Sequence, residues 1–301
     1  MTPWTALLFA VDGLSWHLVH NLLNDWQDLN DDDNVEDSFR LAYGCHVLKQ
    51  GFVTKTTFLK IMAGVGVPGA ILTAVFRTTA LAPAALYGIL ALFFYTIVFK
   101  PLALGEIVIY LVWGPLMAGF GQIAAGAPWT GPAALFTDPS VALFGLSAFA
   151  MIMGKHTDKI TRSNKKTLPK VLGYPGALFG CGFSIVAPHV LLAATLVKER
   201  FLCPTPTPTI PWGCALAFLT LFREVPSTLS ILRLGQLKDK MQPNLPMDTQ
   251  FKGTLVDGDV GRAWPLWFVA FTGWHGVTFS YLLVLGSALE WTLRVFARSI
   301  L

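Results

Sequence analysis

Long apolar runs follow one another through most of this 301-residue chain. A helix needs about 20 mostly apolar residues to cross the hydrocarbon core of a membrane. Eight segments approach that length, near residues 4–23, 58–76, 80–98, 104–126, 139–154, 173–197, 208–232 and 263–288. Only 13% of the residues are charged, about half the share in a typical soluble domain. The sequence therefore predicts an all-α fold, a polytopic transmembrane helical bundle of about eight helices in a single membrane-embedded domain over residues 1–301.

Basic residues are distributed unevenly between the loops. If the chain crosses the membrane at each of the eight runs, 17 of its 22 Lys and Arg residues fall on one side. Loops rich in Lys and Arg stay on the cytoplasmic side. We therefore expect a multi-pass integral membrane protein with these loops in the cytoplasm, or in the matrix if the membrane is mitochondrial. The net charge of +4 is then an orientation signal, and no nucleic-acid partner is expected.

An acidic segment directly follows the first apolar run, where residues 25–37 hold seven of the 18 acidic residues. At about 100° per residue, one polar stripe forms on the helix. Its members are His17, Asn21, Asn24, Asp28 and Asp32. Crowded carboxylates are unfavourable unless cations neutralise them, and Mg²⁺ prefers hard oxygen ligands. The segment predicts a Mg²⁺ site, and a solvated acidic loop is the alternative. Asp12 lies off the stripe and is not expected to be a ligand.

A basic segment, GKHTDKITRSNKKTLPKVLG at residues 154–173, faces the same side of the membrane. Its one acid is Asp158, surrounded by Lys155, Lys159, Arg162, Lys165, Lys166 and Lys170. Such a segment can anchor to anionic lipid headgroups. Opposite an acidic, metal-binding stripe it also suits a diphosphate, because metal and cationic side chains then meet the negative charge from two sides.

Several stretches in the same order as in a known family strengthen this interpretation. They are NDWQDLNDD, FRLAYGCHVL, KPLALGEIVIYLVWGPLMAG at residues 100–119, GKHTDKI and KKTLPKVLG. Together they resemble the UbiA superfamily of intramembrane prenyltransferases. Within it, they are most similar to the 1,4-dihydroxy-2-naphthoate prenyltransferases of menaquinone synthesis. The resemblance implies nine transmembrane helices around a lipid-open cavity, where two acidic motifs bind a prenyl diphosphate through Mg²⁺. By this resemblance the chain begins inside the family's second helix, and we expect the first to be missing.

The resemblance also implies roles for individual residues. The metal ligands would be Asn24, Asp25, Asp28 and Asp32 of the first motif, NxxxDxxxD, and Asp158 of the second. The catalytic residues among them would be Asp28, Asp32 and Asp158. The diphosphate would be contacted by Asn24, Arg40, Lys155, Lys159 and Arg162. The family's second motif usually has two aspartates before a TLP segment, and here only Asp158 matches.

The predicted activity is Mg²⁺-dependent transfer of a prenyl group from a prenyl diphosphate to a hydrophobic aromatic or quinone-precursor acceptor inside the lipid bilayer. One alternative is a membrane terpene cyclase, which ionises the diphosphate without an acceptor. Another is a non-catalytic transporter or ion-binding membrane protein, since such proteins also place ionisable residues in the membrane. Both motifs lie at one membrane face, whereas transporter sites usually lie near the midplane, and this favours the enzyme.

Polar residues also occur inside the apolar runs. Arg223, Glu224 and Pro226 interrupt the seventh run, which makes it the weakest candidate span. His275 lies in the last run and is expected to form a hydrogen bond to another helix.

Overall fold

A computed structural model describes residues 3–29, 47–48, 51–75, 94–124, 132–158, 160, 166–205, 209–238 and 267–300. Within these residues all regular secondary structure is helical. Three helical segments are long and apolar enough to cross a membrane: Lys55–Val75, Leu168–Leu202 and Phe271–Ala297. The all-helical prediction is confirmed, and the composition of these three helices is that of membrane spans. The count of about eight spans stays a prediction.

The chain divides into two compact units. Unit 1 comprises Met1–Phe136 with Arg162–Lys166, and unit 2 comprises Thr137–Thr161 with Thr167–Leu301. The single domain over residues 1–301 stays a prediction.

In unit 1, helix α1 (Pro3–Asp28) packs against helix α2 (Lys55–Val75). The buried Asp12 carboxylate accepts a hydrogen bond of 3.0 Å from the Thr73 hydroxyl. Trp16 Nε1 in turn donates to the same hydroxyl oxygen at 3.0 Å. A buried carboxylate is costly unless it is hydrogen-bonded, so Thr73 compensates Asp12 where the two helices meet. Asp12 thus has a helix-packing contact, in line with its predicted place off the stripe.

The predicted fourth run, residues 104–126, does not form one continuous α-helix. It consists of α3 (Gly105–Leu111), a π-helical segment (Val112–Ala118) and α4 (Gly119–Ala124). Pro115 lies inside the π-helical segment, where its missing N–H interrupts regular α-helical bonding. Unit 1 also contains a π-helical segment, Tyr95–Phe99, and all of α5 (Pro132–Thr137) except its last residue.

Unit 2 contains four longer α-helices, with bounds α6 (Pro139–Asp158), α7 (Leu168–Val197), α8 (Leu221–Lys238) and α9 (Trp267–Ile300). A π-helical segment (Lys198–Leu202) extends α7, and a 3₁₀ helix (Trp212–Thr220) leads into α8. Thr167 caps α7, because its side chain accepts a hydrogen bond from the Lys170 amide. Gly173 has a φ of 69° inside α7, a left-handed conformation that glycine adopts without steric cost, and the helix kinks there.

Helix α9 packs against α6 and the 3₁₀ helix, and the backbones come closest at glycines. A Cβ atom at Gly276 would lie 2.5 Å from the Ser147 carbonyl oxygen on α6. Gly213 and Gly286 lie so close that a Cβ on either one would collide with the other's backbone. Small residues allow close helix approach, which is how helices associate in lipid, where burial of apolar surface drives little.

Large apolar side chains cover the outside of α7. Phe179, Phe183, Val186 and Val190 are exposed and recur every three or four residues along the helix. Residues at this spacing share one helical face. A contiguous apolar face of this kind is unfavourable in water and suits contact with lipid or another protein surface.

Candidate functional site

The first acidic motif begins inside α1 and not in a loop after it. The helix continues five residues beyond the predicted run of 4–23 and ends at Asp28. Asn24 and Asp28 therefore lie one turn apart on the same helix, as the stripe predicts. The stripe is also formed one turn earlier, where Asn21 Nδ2 lies 3.2 Å from His17 Nε2. The His17 ring contacts Trp113 edge-on, with 5.2 Å between ring centroids.

The first motif is rich in side-chain oxygens. Asn24 carries an amide and Asp25 beside it a carboxylate, and both residues are half-buried. These oxygens are the ligand types that Mg²⁺ takes in proteins. Within the part of the chain that the structure describes, no three His, Cys, Asp or Glu side chains are grouped to hold a metal ion. Asp32 and Arg40 lie outside the described residues.

The second acidic motif begins at the end of α6, whose last residue is Asp158. Its carboxylate is 2% exposed and accepts two backbone hydrogen bonds, from Phe268 N to Oδ1 and from Val269 N to Oδ2, each 3.0 Å. The first amides of an α-helix have no intrahelical partner, and a carboxylate is favourable at that end of the helix dipole. Asp158 therefore caps α9. The sequence could not predict this contact, because the partner is 110 residues away.

The basic residues of the second motif are described only in part. Lys155 is half-buried in the last turn of α6. Lys159 and Arg162 lie outside the described residues. Whether they contact a diphosphate stays a prediction, as does a metal-binding role for Asp158.

Replacing Asp158 with alanine is expected to destabilise the start of α9. A hydrogen bond to a charged group contributes about 1.5–3 kcal/mol, so we expect a loss of about 3 kcal/mol in the free energy of unfolding. Hydrogen exchange at the amides of Phe268 and Val269 should accelerate in the same variant. Asp158→Asn keeps one acceptor oxygen and should lose less. Unchanged exchange at both amides in Asp158→Ala would contradict the capping role.

A second group of polar side chains is buried within unit 2, and we call it the His–Glu cluster. It consists of His189 on α7, Thr220 at the end of the 3₁₀ helix, Glu224 on α8 and His275 on α9, all at most 5% exposed. His275 Nδ1 lies 3.2 Å from Glu224 Oε2. The His189 and His275 rings have their centroids 5.5 Å apart. His189 Nε2 lies 2.6 Å from the Thr220 hydroxyl oxygen.

The sequence indicates this cluster only through single residues. Glu224 interrupts the seventh apolar run, and His275 is isolated in the last one. Their neighbours also pair, since the Arg223 guanidinium lies over the Trp274 ring at 4.8 Å from its centroid. Adjacent residues of α8 thus contact adjacent residues of α9. An ionisable side chain inside an apolar run indicates from the sequence that such a site exists. The residue that it contacts can be identified only from the packing of the helices.

Comparison with known proteins adds no relative. No family model matches the chain, and neither a curated protein nor a solved structure matches it.

Proposed function

We propose that the chain is a Mg²⁺-dependent intramembrane prenyltransferase, which transfers a prenyl group from a prenyl diphosphate to an aromatic or quinone-precursor acceptor. It would be a multi-pass protein with both motifs on the cytoplasmic or matrix side. The observation that carries the proposal is the first motif, in which Asn24, Asp25 and Asp28 end a helix that is apolar for most of its length. Their order and spacing resemble the UbiA pattern.

The first motif would hold the metal through Asn24, Asp25, Asp28 and Asp32. Bound Mg²⁺ supplies positive charge beside a diphosphate leaving group. Arg40, Lys155, Lys159 and Arg162 would donate hydrogen bonds to the same diphosphate, and charged donors of this kind are effective where water is excluded.

The reaction joins two carbon atoms. The bond between the allylic carbon and the diphosphate oxygen breaks, a bond from that carbon to the acceptor carbon forms, and the acceptor releases one proton. The allylic cation has to be shielded from water until the acceptor attacks. A mostly apolar chain supplies such shielding.

Asp158 can serve two purposes in this proposal. Its carboxylate oxygens accept amides of α9, and each oxygen has a second lone pair that a metal could use. Asp158→Asn separates the two roles, because it preserves part of the cap and removes the charge. Retained activity in Asp158→Asn would leave helix capping as its role.

The test uses the full chain in lipid nanodiscs with labelled prenyl diphosphates of several lengths. Incubation with Mg²⁺ should give a prenylated product when 1,4-dihydroxy-2-naphthoate or another aromatic acceptor is present. The product should disappear with excess chelator and return when Mg²⁺ is restored, because the carboxylates bind the diphosphate only through the metal.

Each other outcome identifies an alternative. A hydrocarbon formed without acceptor would indicate the terpene cyclase. Binding without any product from any prenyl diphosphate would indicate the non-catalytic protein. Product formation in excess chelator would contradict the role of Mg²⁺.

A further inference from the structure

The hydrogen bonds around His189 restrict where its protons lie. His189 Nδ1 is 2.9 Å from the Ile185 carbonyl oxygen, which only accepts, so Nδ1 carries a proton. The Thr220 hydroxyl has one proton and lies 2.6 Å from both the Ala217 carbonyl oxygen and His189 Nε2. If Thr220 donates to Ala217, His189 Nε2 must be the donor to Thr220. All three contacts are then hydrogen bonds and His189 is an imidazolium, whereas His189 is neutral, with its proton on Nδ1, when Thr220 donates to Nε2 instead.

Glu224 needs a compensating positive charge. It is 3% exposed, and an isolated carboxylate in such surroundings is very unfavourable. His275 is the nearest candidate, at 3.2 Å and fully buried. The two atoms are not aligned for a hydrogen bond, and among the described residues neither Glu224 Oε2 nor either His275 ring nitrogen has a hydrogen-bond partner. The contact is therefore ionic when His275 is protonated, and no hydrogen bond fixes the proton on His275.

The other groups that face the cluster offer little competing charge. On α6, Ser147 lies against α9 and its hydroxyl bonds its own helix at Leu143. The 3₁₀ helix contributes the neutral Thr220. On α8, Arg223 is exposed and its guanidinium lies over Trp274. The two imidazoles are thus the groups placed to neutralise Glu224.

We propose that the His–Glu cluster is a proton-binding site in which one proton neutralises Glu224 and resides on either His275 or His189. The ligand is the proton itself. It balances Glu224 by direct contact from His275, or from the neighbouring His189 ring, which makes two hydrogen bonds when it is protonated. The site exchanges a proton between α7 and α9, both of which contain segments apolar enough to span a membrane. It is independent of the prenyl-transfer chemistry.

Nitrogen NMR of the full chain, with ¹⁵N-labelled histidine in nanodiscs, tests the proposal. The spectrum is recorded near pH 7.5, about one unit above the usual histidine pKa, and signals are assigned by single His→Gln variants. One imidazolium in total should be shared between His189 and His275. His275→Gln should leave it on His189, and His189→Gln should leave it on His275.

Two carboxylate variants complete the test. Glu224→Gln should abolish the imidazolium, because the charge that it balances is gone. Glu199→Gln is the matched control and should retain it: Glu199 is also buried in unit 2, but its carboxylate accepts from Thr209 and the Ile210 amide.

The proposal is overturned by any of three results. These are no imidazolium on either ring in the wild type, an imidazolium that survives Glu224→Gln, or complete loss of the signal in either His275→Gln or His189→Gln, which would indicate a proton fixed on one ring. If Glu224→Gln does not fold, the wild-type spectrum and the spectra of the two His→Gln variants still decide between a shared proton and a fixed one.

Discussion

Asp28→Ala is expected to reduce prenyl transfer by at least about a hundredfold, while the protein remains in the membrane in normal amount. The substitution removes one carboxylate from the first motif and with it a ligand of the proposed metal. Removing one preorganised group that stabilises charge in a transition state typically costs two to three orders of magnitude in rate. The measurement is product formation in nanodiscs at several Mg²⁺ concentrations, with the amount of folded protein determined in parallel. Asp32→Ala should behave in the same way.

A matched control comes from the same helix. Asp12 is also an aspartate of α1, but it lies off the stripe and accepts a hydrogen bond from Thr73. Asp12→Asn preserves an acceptor oxygen and should leave turnover unchanged. Wild-type turnover in both Asp28→Ala and Asp32→Ala would remove these residues from the catalytic machinery and with them the metal assignment.

Replacing either Glu224 or His275 alone should lower the free energy of unfolding by about 3 kcal/mol. In Glu224→Met the His275 ring stays buried without its ionic partner, and in His275→Phe the carboxylate loses its direct contact and is balanced only indirectly, from the His189 ring. Removing one member of a buried ion pair is strongly destabilising, whereas replacing both with apolar residues of similar size is often close to neutral. The double variant should therefore lose less free energy of unfolding than the two single variants lose together. The difference, which is the coupling energy, should be about 2 kcal/mol.

Reversible unfolding in mixed micelles measures all members of this cycle. The control is Arg294→Met, which breaks the pair between Arg294 and Glu290 on the outside of α9. The Arg294 side chain is 58% exposed, and exposed pairs contribute at most about 1 kcal/mol. Additive effects of Glu224→Met and His275→Phe would show that the two side chains do not interact energetically.

Helix positions followed from the sequence where one apolar run corresponds to one helix. The predicted run 58–76 agrees closely with α2, and the run 173–197 ends with α7, which begins five residues earlier. Other helix ends differ from the predicted ones, because polar residues continue a helix wherever its backbone hydrogen bonds can still form. Thus α1 extends through the acidic motif to Asp28, and α9 extends beyond residue 288 to Ile300. The third run, 80–98, lies mostly outside the described residues.

The contacts of the polar residues were less predictable, because they depend on which helices pack together. The stripe on α1 needs only the period of one helix, and His17 and Asn21 follow it. The capping of α9 by Asp158 joins residues far apart in the chain. His275 does contact another helix, at Glu224, but the predicted hydrogen bond is wrong, because neither ring nitrogen has a hydrogen-bond partner among the described residues.

The length of α9 has a mechanical consequence in a lipid bilayer. Its apolar part, Phe271–Ala297, has 27 residues and measures about 40 Å at 1.5 Å per residue. The hydrocarbon core is about 30 Å thick, so a helix that spanned it over this whole length would lean by roughly 40°, or the surrounding bilayer would thicken. Gly213 and Gly286 meet backbone to backbone, so at that point no side chain lies between the 3₁₀ helix and α9 to absorb a change in that lean. In a membrane, the acyl-chain length would therefore act directly on the packing of unit 2.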